Sequence, residues 1–282
     1  MKDLKQVILS VFCLLNQVNQ RDAREINPSP SVGPGRLSRR NIPQEWGHAK
    51  EVQLVNALYK KDNPLGIVDA VYSFLGDKSA TEGAGKFDKT KLHCMKKFIA
   101  DTAFSVAKKA DDKRGMTASI IVASLERNAP CVGCVGKDCT DKFTNPEITR
   151  VIMHQDAASK DADKVNKEAT LSVAKSLVDI DVDPIMALLS CTWPAGTPNT
   201  SNAAGLSCDD PKDPQGCIIT KHLLNSKNLL TMPKFRIHLK LYQHLDFTPK
   251  ELVAKLEPYL KEKGKTLPKS KLLDVPFTGE GL

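Results

Sequence analysis

Two of the six histidines and the eight cysteines of this 282-residue chain have the types and spacing that invite chemistry. His154-Gln155-Asp156 sets an imidazole two residues from a carboxylate, at the end of a helix expected to begin at Asn145. A histidine so placed is a candidate general base, although the helix dipole alone also favours one at a C-terminus. His93 adjoins Cys94, which makes a Cys–His pair only if that sulfur is a thiol. Cys131-x-x-Cys134 has the step of a zinc or redox pair, but no second close pair of ligands completes a structural zinc site. The loop CVGCVGKDC lies between two helical segments, not at a helix start after a strand, so a thioredoxin-type reading fails as well. Glu82-Gly83-Ala84-Gly85-Lys86 lacks the spacing of a phosphate loop, and no GxSxG elbow is present. Asp209, Asp210 and Asp213 are not followed by a bidentate Glu at EF-hand spacing. No catalytic, cofactor or metal set is therefore assigned. His154 and scattered carboxylates are what a hydrolase would have to use.

The elements that would position these residues are helical. From residue 44 to about 190 the apolar spacing is almost entirely that of helices. Val52, Leu54, Val55, Leu58 and Tyr59 follow it, as do Ile67, Val68, Val71, Tyr72 and Leu75. The longest candidate runs from Asp88 to about Ala110, with Leu92, Met95, Phe98, Ile99, Ala103 and Val106 as the stripe and the lysines on the outside. Gly115–Asn128 and Asp161–Ile180 supply two more. Asn145-Pro146-Glu147, Asp183-Pro184 and Thr248-Pro249 each put a capping side chain before a proline suited to a first turn. Six or seven helices on short loops give an all-α fold, a helical bundle.

Two stretches interrupt the pattern. Residues 192–215 hold Pro194, Gly196, Pro198, Gly205, Pro211 and Pro214, a long Pro/Gly loop. Cys208 and Cys217 flank its acidic end as a staple, and Asn199-Thr200-Ser201 within it is a glycosylation sequon. After Cys217 the apolar signal weakens: Phe235–Leu241 alternates with a strand period, Thr248–Lys263 is one more helix stopped or bent near Pro258, and a basic tail follows.

The ends speak to location. Met1–Lys5 carries positive charge, Val7–Leu15 is apolar, and the chain then turns polar, so residues 1–20 are read as a secretory signal peptide. Residues 21–40, rich in Pro, Gly, Ser and Arg, are a disordered linker or pro-segment ending in Arg39-Arg40, a candidate processing site. No run of roughly 18 apolar residues follows, so no membrane span is expected in the mature chain. In a secreted chain the seven cysteines after Cys13 should mostly be bridged, and an odd number leaves one over.

Several strings in fixed order then accumulate: Arg40-Asn41-Ile42-Pro43-Gln44-Glu45, Leu75-Gly76, Gly83–Lys86, Gly115-Met116-Thr117, Leu125-Glu126-Arg127-Asn128, Asn145–Ile148, His154–Ser159, Asn166-Lys167, Asp183-Pro184, Cys208-Asp209-Asp210 and Gly216-Cys217-Ile218. In that order they resemble a family of secreted fungal proteins, widespread in ascomycetes and basidiomycetes, that carries no assigned activity. The likeness covers about residues 40–232. It implies cysteines conserved in role at Cys94, Cys139, Cys208 and Cys217, most simply as bridges Cys94–Cys139 and Cys208–Cys217. Cys131, Cys134 and Cys191 depart from that pattern, as does the Lys-rich extension. A secreted chain of this profile is also similar in class to candidate effectors of plant-associated fungi.

The expected organisation is a helical domain over 41–232 and a basic C-terminal extension over 233–282. The net charge of +8, from 41 basic and 33 acidic residues, divides accordingly. Residues 41–220 hold 22 basic and 24 acidic residues, whereas 221–282 hold 12 and 6. Polyanion binding is therefore expected, if anywhere, through residues 233–282, where Phe235, Tyr242, Phe247 and Tyr259 interleave with the lysines. The functional expectation is an extracellular binding, cell-wall or interface protein whose partner is a wall polymer or a host protein. The alternatives are a hydrolase using His154 or carboxylates, and a host-directed effector.

Overall fold

A computed structural model describes residues 47–75, 77–129, 133–192, 212–214, 216–220, 247 and 249–267. The signal segment, the linker with Arg39 and Arg40, Asn199, Cys131, Cys208 and the Phe235–Leu241 alternation lie outside the described residues. Within them the chain is helical and has no strand. The α-helices are α1 (Ala49–Tyr59), α2 (Asp77–Gly83), α3 (Met95–Lys109), α4 (Lys113–Ser124), α5 (Pro146–Arg150), α6 (Ala162–Asp179), α7 (Cys217–Thr220) and α8 (Pro249–Glu262). Three 3₁₀ segments, Ala70–Phe74, Lys89–Cys94 and Pro184–Ser190, join them. No described helix is long and apolar enough to cross a membrane.

Helix α4 is the centre. Every residue from Gly115 to Ser124 is buried, as befits a stretch with no charged side chain on any face. It packs against α1 and α3 on one flank and α6 on another. Gly115 permits this approach: a Cβ there would meet Asp112 Oδ2 at 2.7 Å, Leu58 Cδ1 at 2.8 Å and Ala107 Cβ at 2.9 Å. The buried serines and threonine of α4 return their hydroxyls to the helix itself, Thr117 to Lys113 O, Ser119 to Gly115 O and Ser124 to Ile121 O.

The expected long helix from Asp88 divides. Residues Lys89–Cys94 form a 3₁₀ segment with a non-helical Lys91 (φ −116°, ψ 24°), capped by Asp88 accepting from Thr90 N, and α3 starts only at Met95. The expected caps also separate. Asp183 accepts from Ile185 N as expected, Thr248 lies outside the described residues, and Asn145 does not cap α5. Asp69 and Asp112, not singled out in the sequence, cap their own segments through Val71 N and Gly115 N. The Asn145 amide donates to Asp101 Oδ1 (2.9 Å) and Ser105 Oγ (2.7 Å), and Asp101 in turn accepts from the backbone N–H groups of Thr144 and Asn145. Burial next to α3 gave the side chain a better partner than its own helix.

Helix α8 belongs to the same packed body as the rest. Leu252, Leu256 and Leu260 are buried, and the helix lies on α6 and the Pro184–Ser190 segment. Pro258 lies inside it.

Candidate functional site

The expected helix carrying His154 ends early: α5 stops at Arg150, and residues 151–156 run without helix beside the end of α4. Two backbone bonds fix them there, His154 N to Ser124 O (2.8 Å) and Arg127 N to His154 O (2.9 Å). The imidazole is 0% exposed. Its Nδ1 lies 2.8 Å from the carbonyl of Ser124, which can only accept, so Nδ1 carries the proton. Nε2 then accepts from Thr170 Oγ1 at 3.1 Å, which leaves Thr170 Oγ1 to accept from the buried Cys191 thiol at 3.7 Å. Burial pushes the imidazole down to about 4, against the pull of the Ser124 carbonyl and helped by the nearby Arg127 and Lys96. The histidine is neutral wherever the protein is near neutral pH, and no solvent reaches it.

Its neighbours are spent in the same way. Gln155 clasps Gly136 from both sides, Oε1 accepting its N–H (2.9 Å) and Nε2 donating to its carbonyl (3.1 Å). Asn166 of α6 does the same for the Gln155 backbone, at 2.7 and 3.1 Å. Asp156 turns outward to the N–H groups of Gly133 and Ala158, both at 2.8 Å. The His154-Gln155-Asp156 string thus ties three separate backbone segments together. The imidazole and the carboxylate do not meet.

A second set of residues, missed in the sequence, surrounds this clamp. Lys96 and Lys97, expected on the outside of their helix, are buried. Lys96 Nζ donates to Leu125 O (3.1 Å) and Glu126 O at the end of α4, and sits 4.4 Å from the Phe74 ring centroid. Lys97 Nζ reaches Val151 O (2.7 Å), Thr149 O (3.3 Å) and Cys139 O (3.4 Å), around the end of α5. Burial holds the Lys97 ammonium below its ordinary range. Arg127 donates to Met153 O (3.0 Å) and Gly136 O (3.2 Å) and lies 3.4 Å from Asp138. The carbonyl ends of helices are where cations are favoured, and here buried side chains from other elements supply them. The spacing held the signal: Lys96 is four residues after Leu92 and three before Ile99, on the apolar stripe itself.

The cysteines lock the same region. Cys94 and Cys139 are joined across 45 residues with Cα atoms 4.9 Å apart, at the start of α3 and beside the Lys97 cradle. Cys134 and Cys217 are likewise disulfide-bonded. The bridge consumes the Cys94 thiol that a pair with His93 would need. Cys94, Cys139 and Asp141 form the one three-ligand grouping among the described residues, but its two sulfurs are bonded to each other and Asp141 is ion-paired with Lys91 (2.8 Å). The phosphate-loop lookalike is likewise structural, since Lys86 N donates to Leu65 O (2.7 Å) and Gly83 O accepts from Val68 N (3.0 Å). Asp213 accepts from Gly216 N (3.2 Å) and from the Thr220 hydroxyl.

One grouping faces outward. Tyr259 of α8 is half-buried, with three cations from three elements around its ring: Arg150 at 5.4 Å, Lys175 at 5.5 Å and Lys263 at 5.4 Å from the centroid. Its hydroxyl donates to Asp179 Oδ1 (2.7 Å), whose other oxygen accepts from Arg150 Nη1 (2.5 Å). Burial and the Asp179 bond both push the phenol upward, so it stays protonated. Compared with models of protein families, with curated proteins and with solved structures, the chain matches none.

Proposed function

We propose that this chain is a secreted, disulfide-stapled helical bundle, with a long Pro/Gly loop and a basic C-terminal extension, that acts by binding at a cell wall or other extracellular interface. Its likeness to secreted fungal proteins without assigned activity belongs to the same reading. The observation that carries it is the fate of His154-Gln155-Asp156. A general base needs access to the proton it takes and a pKa near the working pH; His154 has neither, because its ring is used to tie α4 to α6. Asp156, the nearest carboxylate in sequence, is used on two backbone amides. The extra bridges fit an oxidising compartment.

The test is co-sedimentation of the full secreted chain with insoluble wall polymers, with soluble reducing ends measured in the same supernatants. Capture in the pellet without release is the expected result. Release of sugar that His154→Gln abolishes would make the chain a hydrolase instead. Mass spectrometry of the secreted material reads the location separately: a mature start near residues 18–23, or at Asn41 if Arg39-Arg40 is cut, is expected, and an intact Met1 start in the medium would remove the signal-peptide reading.

A further inference from the structure

The sequence concentrates positive charge after residue 220 and leaves the body slightly acidic, so a polyanion site built on the extension alone would be expected. The fold does something different. Helix α8 lays Tyr259 between two cations of the body, Arg150 at the end of α5 and Lys175 toward the C-terminal end of α6, and Lys263, just past the last residue of α8, adds a third. The ring cannot turn freely, because its hydroxyl is held by Asp179 and Asp179 is held by Arg150. Arg150 is thereby occupied. Lys175 makes no ion pair among the described residues, and Lys263 faces only its neighbour Glu262, at 3.7 Å. Two ammonium groups are thus gathered at one fixed aromatic ring, and among the described residues Glu262 is the one acid paired with either.

We propose that this platform binds an acidic polysaccharide, a polymer with a carboxylate on its sugar units, with Lys175 and Lys263 taking the carboxylate and Tyr259 lying against the sugar. The inference rests on the wall-binding reading above and names the polymer class. A sugar ring offers a flat C–H face to an aromatic side chain and a carboxylate to an ammonium group, which is the pair of surfaces present here. The charge suits a sparse polyanion. Arg150, Lys175, Lys263 and Lys265 stand against Asp179, Asp181 and Glu262, a small surplus compared with the dense phosphate neutralisation that nucleic-acid binding requires.

The test measures affinity of the full secreted chain for polygalacturonate, for a neutral β-glucan and for single-stranded DNA, in the wild type and in Lys175→Gln/Lys263→Gln. Both lysines are at least partly exposed, and the thermal midpoint of the variant reports whether it folds. The expected result is salt-sensitive binding to polygalacturonate that the double variant weakens about tenfold or more with an unchanged midpoint. Tyr259→Leu, which removes the ring, should weaken binding as well. Equal affinity in wild type and double variant would overturn the site while leaving wall binding standing. Binding to neutral β-glucan alone would do the same. DNA bound as tightly as polygalacturonate would overturn the polymer class, and binding to no wall polymer would remove both readings.

Discussion

His154 and Glu51 are two buried titratable side chains treated in opposite ways. His154 is 0% exposed and both ring nitrogens have partners. Glu51, in the first turn of α1, is 5% exposed, and its Oε2 has no hydrogen-bond partner among the described residues. The helix N-terminus should favour a carboxylate, and Lys50 and Arg114 lie near, yet burial outweighs them and pushes the acid up to about 7. The difference separates a pinned region from a poised one. Around residues 94–156, buried cations, a disulfide and the His154 clamp give each other partners. At the start of α1 a buried acid pays its desolvation with only part of the return.

If the region around residues 94–156 is the pinned one, the largest losses should come there. Replacing both Cys94 and Cys139 by Ala removes a 45-residue closure, worth about 4 kcal/mol in the chain-entropy model. Denaturant unfolding should show a drop of that order, and a change within measurement error would mean that the cradle alone holds the region. Lys97→Met comes next. It leaves the carbonyls of Cys139, Thr149 and Val151 without the buried ammonium, a loss of about 3 kcal/mol on the scale of buried unsatisfied acceptors. A near-neutral result would show that the cradle is not what fixes the end of α5.

Glu51→Gln tests the poised region and should act in the opposite direction. The native acid titrates near 7 against an ordinary 4.5, so between those values the folded state holds more protons than the unfolded one. Its stabilising share is complete below 4.5 and is lost as pH rises to 7. Removing the charge should therefore raise stability at pH 8, by up to about 3 kcal/mol. His154 has the reverse sign. Its native value near 4 lies below the ordinary 6.5, so its share is complete above 6.5 and is lost as pH falls toward 4. Between 4.5 and 6.5 the two slopes oppose each other. The wild type should show a shallow pH profile there, and Glu51→Gln should expose a rise in stability with pH across that window. Thermal midpoints measured from pH 4 to pH 8 read both signs, and an unchanged profile in Glu51→Gln would dissolve the contrast between the two sites.

These same residues mark what a sequence does and does not carry. The apolar stripes of α1, α3, α4 and α6 were legible because burial there comes from repeated side chains at helical spacing. Proline punctuation placed the starts of α5, the Pro184–Ser190 segment and α8 for the local reason that a missing N–H is harmless in a first turn. Lys96 and Lys97 were misread because a charged type was taken as an outward type, and nothing local reports that carbonyls from residues 125–151 converge on them. Asn145 looked like a cap, but Asp101, 44 residues away, decides its partner. His154 could be singled out as unusual, yet its role depends on Ser124 and Thr170, each reached only through the fold. The joint platform at Tyr259 was hidden for the same reason, since charge counts by segment cannot show Arg150 and Lys175 meeting the extension.

Lys265 gives the comparison its finest setting, because it repeats the Lys97 bond at the surface. Its Nζ donates to Val178 O (2.7 Å) and Asp179 O (3.3 Å) at the end of α6, as Lys97 does at the end of α5, but its side chain is 32% exposed. Water can replace a lysine there, so the orphaned carbonyls are not left dry. Lys265→Ala should cost about 1 kcal/mol, well short of Lys97→Met. Hydrogen exchange should place the loss locally, with faster exchange in the last turn of α6 and in α8 and little change at α5. Equal losses from the two lysines would mean that burial of the carbonyls is not what separates the pinned region from the rest of the molecule, and that the contact itself, wherever it lies, sets the stability of a helix end in this protein.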